Sequence, residues 1–226
     1  MIRKKDVSLM YQHYYEEVAR FAAEGELTAE LQLAKKEYIK RTGDLFETDA
    51  SFERRIAIFL EWYILDRKIS FRPELTPAEL FIMQYGKSMD ENNCNSYASL
   101  TRTELSIFEI ISFKHEKIKV KNLLTGKKLL IFERRKPAGL EIGDILEARI
   151  IPFDDLFLFS DCYFCEPREA RKEILAAAKK FRKTKSTEND KIAFVHQVEF
   201  LANRSERYKH INVRKIFAEL VSYKAA

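Results

Sequence analysis

The chain has 226 residues, 46% of them apolar, which is enough to build a core and sets disorder aside as the default. A third of the residues are charged with both signs interspersed, and the net +5 is uneven: about −3 over residues 1–100 and about +8 over 101–226. Three cysteines without paired spacing argue against a secreted disulfide scaffold, and the longest apolar run, Ile56–Leu65, is interrupted by Glu61 and too short to span a bilayer. The amino-terminal stretch MIRKKDVSLMYQHYYEEVARF shows no apolar run of export-signal length, so a cytoplasmic protein with no membrane segment is expected.

The first hundred residues carry a helical period. Ser8 is placed to cap a helix through Phe21, with Tyr11, Tyr14, Tyr15, Val18 and Phe21 recurring at three- and four-residue steps and Gly25 ending it. Thr28 starts a second helix with the stripe Leu31, Ala34, Tyr38 and Ile39, a solvated group of Lys35, Lys36, Lys40 and Arg41 toward its end, and Gly43 as stop. A third helix is predicted over Ser51–Asp66; it is apolar on nearly every side around Trp62, so it must be wrapped by other elements. Glu53, Ala57 and Glu61 fall on one line, which predicts a narrow polar seam. A catalytic carboxylate pair would need a cleft and a complementary acid or base, so an enzymatic role requires Glu53, Glu61 and Asp66 to line such a cleft.

Thr76-Pro77-Ala78-Glu79 is a helix start: the threonine caps, the proline takes the first helical position, and the glutamate can close a capping box. The polar segment Asp90–Ser99 reads as a linker or short helix and as a boundary between halves.

From Leu105 the period shortens. Ile107–Phe113, Lys117–Lys121, Leu129–Phe132, Ile145–Ile151 and Leu156–Phe164 have strand length, separated by turns at Thr125-Gly126, Lys136-Pro137-Ala138-Gly139 and Gly143-Asp144. Five short strands predict an α+β protein with a small antiparallel barrel, OB-like or Src-homology-like. The tail returns to helix: one opened by Pro167 with Ile174, Leu175, Ala178 and Phe181 inward, one containing Ile192, Val195, Val198 and Leu201, and one capped by Asn212 with Val213, Ile216, Phe217, Leu220 and Val221 on one face. The organisation expected is a helical domain over 1–99, a barrel over 100–166, and terminal helices over 167–226 that pack on the rest.

Five segments, F-x-E-W-Y-x-x-D-R at Phe59–Arg67, T-P-x-E-x-F at Thr76–Phe81, S-x-F-E-I at Ser106–Ile110, N-L-L-T-G at Asn122–Gly126 and G-D-x-x-x-A-R at Gly143–Arg149, carry a resemblance. In them the chain resembles an uncharacterised family of bacterial cytoplasmic proteins. The resemblance implies no activity.

Several constellations invite chemistry. Cys162-Tyr163-Phe164-Cys165 lacks the second pair or spaced histidines a zinc site needs, and residues three apart on a strand face opposite ways, so structural cysteines are expected. His13, His115, His196 and His210 stand alone, and no Gly-rich phosphate loop or nucleophile elbow is present. No cofactor and no metal are expected. The strongest surface candidate is basic: Lys117, Lys119 and Lys121 point one way from a strand, Lys127, Lys128, Arg134, Arg135 and Lys136 follow, and Lys179, Lys180, Arg182 and Lys183 cluster with Lys185 at a helix end. Alternating lysines also protect strand edges, and stacking aromatics are as easily placed inside the barrel as on this face. The expectation is a non-catalytic binding or adaptor protein with a protein partner, the alternative a nucleic-acid-binding protein using these residues.

Overall fold

The computed structural model describes residues 4–133, 139–153 and 156–222. Among them are α1 (Lys4–Phe21), α2 (Leu27–Thr42), α3 (Phe52–Leu65), α4 (Pro77–Tyr85) and α5 (Glu91–Leu100). Then come β1 (Glu104–Lys114), β2 (Lys117–Asn122), β3 (Lys128–Phe132), β4 (Ile145–Phe153) and β5 (Leu156–Cys165), followed by α6 (Arg171–Phe181), α7 (Glu188–Arg207) and α8 (Val213–Val221). The chain divides into two compact units, one of residues 1–38 and 55–103, the other of 39–54 and 104–226. None of the described helices is long and apolar enough to cross a membrane.

In the first unit α3 is the hub that its all-round apolar sequence predicts. Ile58, Phe59 and Trp62–Leu65 are buried, and the Tyr38 ring packs against Phe59 and Trp62 with centroids 5.2 and 5.6 Å away. The Tyr63 hydroxyl reaches the Ala22 carbonyl at 3.0 Å and the Leu27 carbonyl at 3.2 Å, pinning the α1–α2 turn. Buried Glu30 takes the Arg67 guanidinium at 2.5 Å, the Ser70 amide at 2.9 Å and the Ser70 hydroxyl at 2.5 Å. Helix α4 starts as its sequence dictates: the Glu79 amide donates to Thr76 Oγ1 at 3.2 Å while the Thr76 amide donates to Glu79 Oε2 at 2.6 Å. The polar 90–99 stretch is helical, because Asp90 accepts from the Asn93 amide at its start and buried Tyr97 and Leu100 anchor it. Ser8 does not cap α1, which begins at least a turn earlier.

In the second unit the five strands form one closed sheet in the order β1-β2-β3-β5-β4, closed by the antiparallel β1–β4 pair. The expectation of a wholly antiparallel barrel is corrected at one seam. Strands β3 and β5 run parallel, with Ile131 opposite Phe157. The reason is parity: around a ring of five strands, directions cannot alternate at every step. Phe108, Ile110, Ile118, Val120, Ile131, Leu146, Ala148, Ile150 and Phe159 fill the interior. Leu105, Ile107 and Ile145 face the other way, into a core with α6, α7 and α8 that includes Ile174, Phe181, Phe194, Val198 and Phe217. Both faces of β1 are thus covered over part of its length, which is why Ile107 and Phe108 are adjacent and apolar.

Candidate polyanion interface

Strand β2 shows plain alternation. Ile118 and Val120 are buried opposite Ile131 and Leu129, and Lys117, Lys119 and Lys121 take the outward positions. Lys121 is the cross-strand partner of Lys128, and Lys114 that of Lys117. Like charges facing one another across a ladder oppose pairing, so this row carries a standing repulsion. One acid that could relieve it is taken: Glu109 lies opposite Lys121, but its carboxylate accepts from Arg171 at 2.5 Å. Among the described residues, none of the side chains of Lys114, Lys117, Lys119, Lys121, Lys127 and Lys128 has an ion pair or hydrogen bond.

The turn that ends β2 is built by one side chain. Asn122 Oδ1 accepts from the amides of Leu124 and Thr125 at 2.9 and 3.0 Å and from the Ser106 hydroxyl at 3.2 Å, while Nδ2 donates to Glu104 at 2.8 Å. Gly126 completes it at φ +78°, where a side chain would be strained. Against this turn lies the end of α6: the Arg182 guanidinium donates to the Leu123 carbonyl, and its Cδ stands 3.6 Å from where a Cβ at Gly126 would lie. The two basic groups separated by more than fifty residues in sequence are therefore contiguous at Arg182. Lys179 and Lys183 are exposed nearby in the chain, whereas Lys180 is turned to the Val221 carbonyl at the end of α8, at 3.1 Å. Arg134, Arg135 and Lys136 lie outside the described residues.

Of the barrel's aromatics, Phe132 takes the outward position opposite Lys117 in this row, but it is buried. Phe113 and Phe157 pack against the barrel interior, and Phe132 and Phe159 are buried. Leu130, opposite Lys119, is the apolar side chain left in the lysine row, 44% exposed.

The other candidates resolve separately. Glu61 is buried and Glu53 exposed, so the polar seam predicted along α3 does not form. Cys165 packs against the barrel interior, its thiol pushed up to about 11 by burial and by the nearby acids Asp144 and Glu166, and all three cysteines are free thiols. Among the described residues no group of three or more His, Cys, Asp or Glu side chains is arranged to hold a metal ion.

Sequence reasoning did not find a set of buried ionisable residues in the second unit. Glu147 and Arg149 alternate with the interior residues of β4, an arrangement that predicts exposure; instead both are buried, along with Glu166, His196 and Glu199. Burial and the neighbouring Glu199 push the Glu166 carboxyl well above the usual carboxylate range. The signal was the double-sided apolar pattern of β1, which requires a cover over the sheet's outer face.

A family model matches residues 10–210, most of the chain. The chain belongs to the Family of unknown function (DUF7986). The DUF7986 match runs from within α1 to the loop after α7, and so takes in the lysine row, the Asn122 turn and Arg182. No curated protein and no solved structure matches the chain.

Proposed function

We propose that this DUF7986 protein is a non-catalytic binding protein whose β2–β3 face, extended by Arg182, takes the phosphate backbone of single-stranded nucleic acid. The observation that carries the reading is the unneutralised lysine row: six lysines without an ionic partner among the described residues, two pairs of them facing one another, with the adjacent acid held by Arg171. A repulsive row is stabilised by an anion laid along it. The closed order β1-β2-β3-β5-β4 with its parallel β3–β5 seam supports reading the sheet as OB-type, a barrel whose second and third strands commonly face oligonucleotides. Free thiols at Cys94, Cys162 and Cys165 suit a reducing, cytoplasmic setting.

With Phe132, the aromatic of this row, buried, the face grips charge rather than bases, so binding should be indifferent to sequence and steep in salt. Fluorescence anisotropy with a labelled single-stranded oligonucleotide tests this: log affinity should fall with log salt at about −0.7 per phosphate neutralised. Lys119→Glu with Lys121→Glu should weaken binding by about tenfold or more at low salt. Absence of binding at low salt, or equal affinity in the double variant, overturns the reading.

Leu130 favours a second reading, in which an acidic protein segment with an apolar side chain lies on the same face. Affinity purification with and without nuclease separates the two, because a protein partner survives digestion.

A further inference from the structure

In the first unit, a cleft of about 430 Å³ opens where the α1–α2 turn, the 69–75 loop and the end of α4 meet. Its size is that of a small-ligand site. Three aromatic side chains line it, Phe21, Phe71 and Tyr85, of which Phe71 and Tyr85 are 47% and 45% exposed. Phe21 meets Tyr85 edge-on at 5.9 Å, so two of the three rings brace one another.

The charged lining is uneven. Glu24 and Glu26, both exposed, lie in the turn that follows α1, at the negative end of that helix. Arg72, from the 69–75 loop, is the cation of the lining. None of these three side chains has a partner among the described residues.

The walls are held from behind. Tyr63 pins the α1–α2 turn through the Ala22 and Leu27 carbonyls. The 69–75 loop is closed on itself by the Leu75 amide to the Arg72 carbonyl at 3.0 Å and the Ile69 amide to the Leu75 carbonyl at 2.9 Å, and Ser70 is tied to Glu30. A site whose shape is fixed before binding loses little entropy on binding.

We propose that this cleft binds an organic cation, an alkylammonium or guanidinium head, with the head among Phe21, Phe71 and Tyr85 and its charge met by Glu24 and Glu26. Aromatic faces attract cations through their quadrupole, and two carboxylates beside them add long-range attraction. Arg72 repels a ligand that is positive throughout, so the remainder of the molecule is neutral or anionic.

Amide NMR of the full chain, titrated with Nα-acetyl-trimethyllysine and with Nα-acetylarginine, tests the proposal. Saturable shifts are expected at Gly25, Phe71 and Tyr85, and none with Nα-acetylcitrulline, the neutral isostere of arginine. Glu24→Gln with Glu26→Gln should weaken binding about fivefold or more with an unchanged melting temperature, and Tyr85→Leu, which keeps apolar bulk, should weaken it comparably. Equal shifts with the citrulline derivative, or full affinity in the double glutamine variant, overturn it. A peptide with an internal trimethyllysine distinguishes the sources of the head. Tighter binding than the free derivative assigns the cleft to a protein tail, equal or weaker binding to a small molecule, and either supports a cation site.

Discussion

Arg182 donates to the carbonyl of Leu123, so the last turn of α6 is fastened to the turn between β2 and β3. This single bond brings together two basic groups that the chain presents far apart, and Arg182 stays partly exposed.

Arg182→Ala should therefore act twice. Loss of a charged donor to a buried carbonyl should lower stability by about 1–2 kcal/mol in urea denaturation. Single-stranded nucleic acid affinity should fall about threefold to tenfold, with a shallower salt dependence. Lys180→Ala should change neither by as much, because Lys180 is committed to the Val221 carbonyl. If the two variants bind alike, the helix end is not part of the interface.

Asn122→Ala should be more damaging than its position in a turn suggests. The side chain satisfies the amides of Leu124 and Thr125, and alanine leaves those donors without it; the Leu124 site is buried. A loss of about 2–4 kcal/mol is expected, at the level of two unsatisfied groups. Asn122→Asp keeps both acceptor bonds but places a carboxylate against Glu104, which now accepts from Nδ2, so it should recover only part of the stability. Chemical denaturation of the three proteins checks the order.

That turn also marks how far the sequence could be read. N-L-L-T-G announces a turn because glycine permits the positive φ at Gly126, and Thr76 and Glu79 announce a helix start because both halves of the capping box are local. The lysine alternation on β2 is equally local, since a period of two fixes the face. What stayed hidden was long-range. Nothing near Glu147 or Arg149 says that these two will be buried, nor does the sequence near Arg182 name Leu123 as its partner. That one seam must be parallel was open to reasoning from strand number alone, once closure is assumed; that it falls between β3 and β5 was not.

Arg67→Met should destabilise the first unit by about 3–5 kcal/mol, because it leaves the buried Glu30 carboxylate without its compensating charge. Burial alone would raise the Glu30 carboxyl. Hydrogen bonds from Ser70 and Arg67 outweigh it and hold the group below its ordinary value. A carboxyl lowered in the folded state contributes stability above its unfolded value, and this contribution is lost as pH falls through the folded one. The wild-type protein should accordingly lose stability on acidification below about pH 4, while Glu30→Gln, already without the charge, should be less stable at neutrality and flatter in acid. Melting temperatures from pH 3 to 7 decide this.

Glu166 and His196 predict an unusual profile on the alkaline side. The Glu166 carboxyl is 2% exposed, and neither oxygen has a hydrogen-bond partner among the described residues, so burial first and the proximity of Glu199 second favour its protonated form. His196 is shifted the opposite way: burial, then the charge of Arg41, pulls it down to about 3. Between about pH 4.3 and 6.5 the unfolded chain has lost the Glu166 proton while still holding the His196 proton, so the two linkages oppose and their slopes offset. Above about pH 6.5 the imidazole is neutral in both states and only Glu166 contributes. Wherever the folded protein still holds the Glu166 proton there, stability should fall with rising pH, by up to about 1.4 kcal/mol per unit. Glu166→Gln keeps the shape and removes the titration; its stability should rise from about pH 4.3 to 6.5 through His196 alone and level off above. Parallel wild-type and Glu166→Gln curves from pH 6.5 to 8.5 would show that the carboxyl is already ionised in the fold.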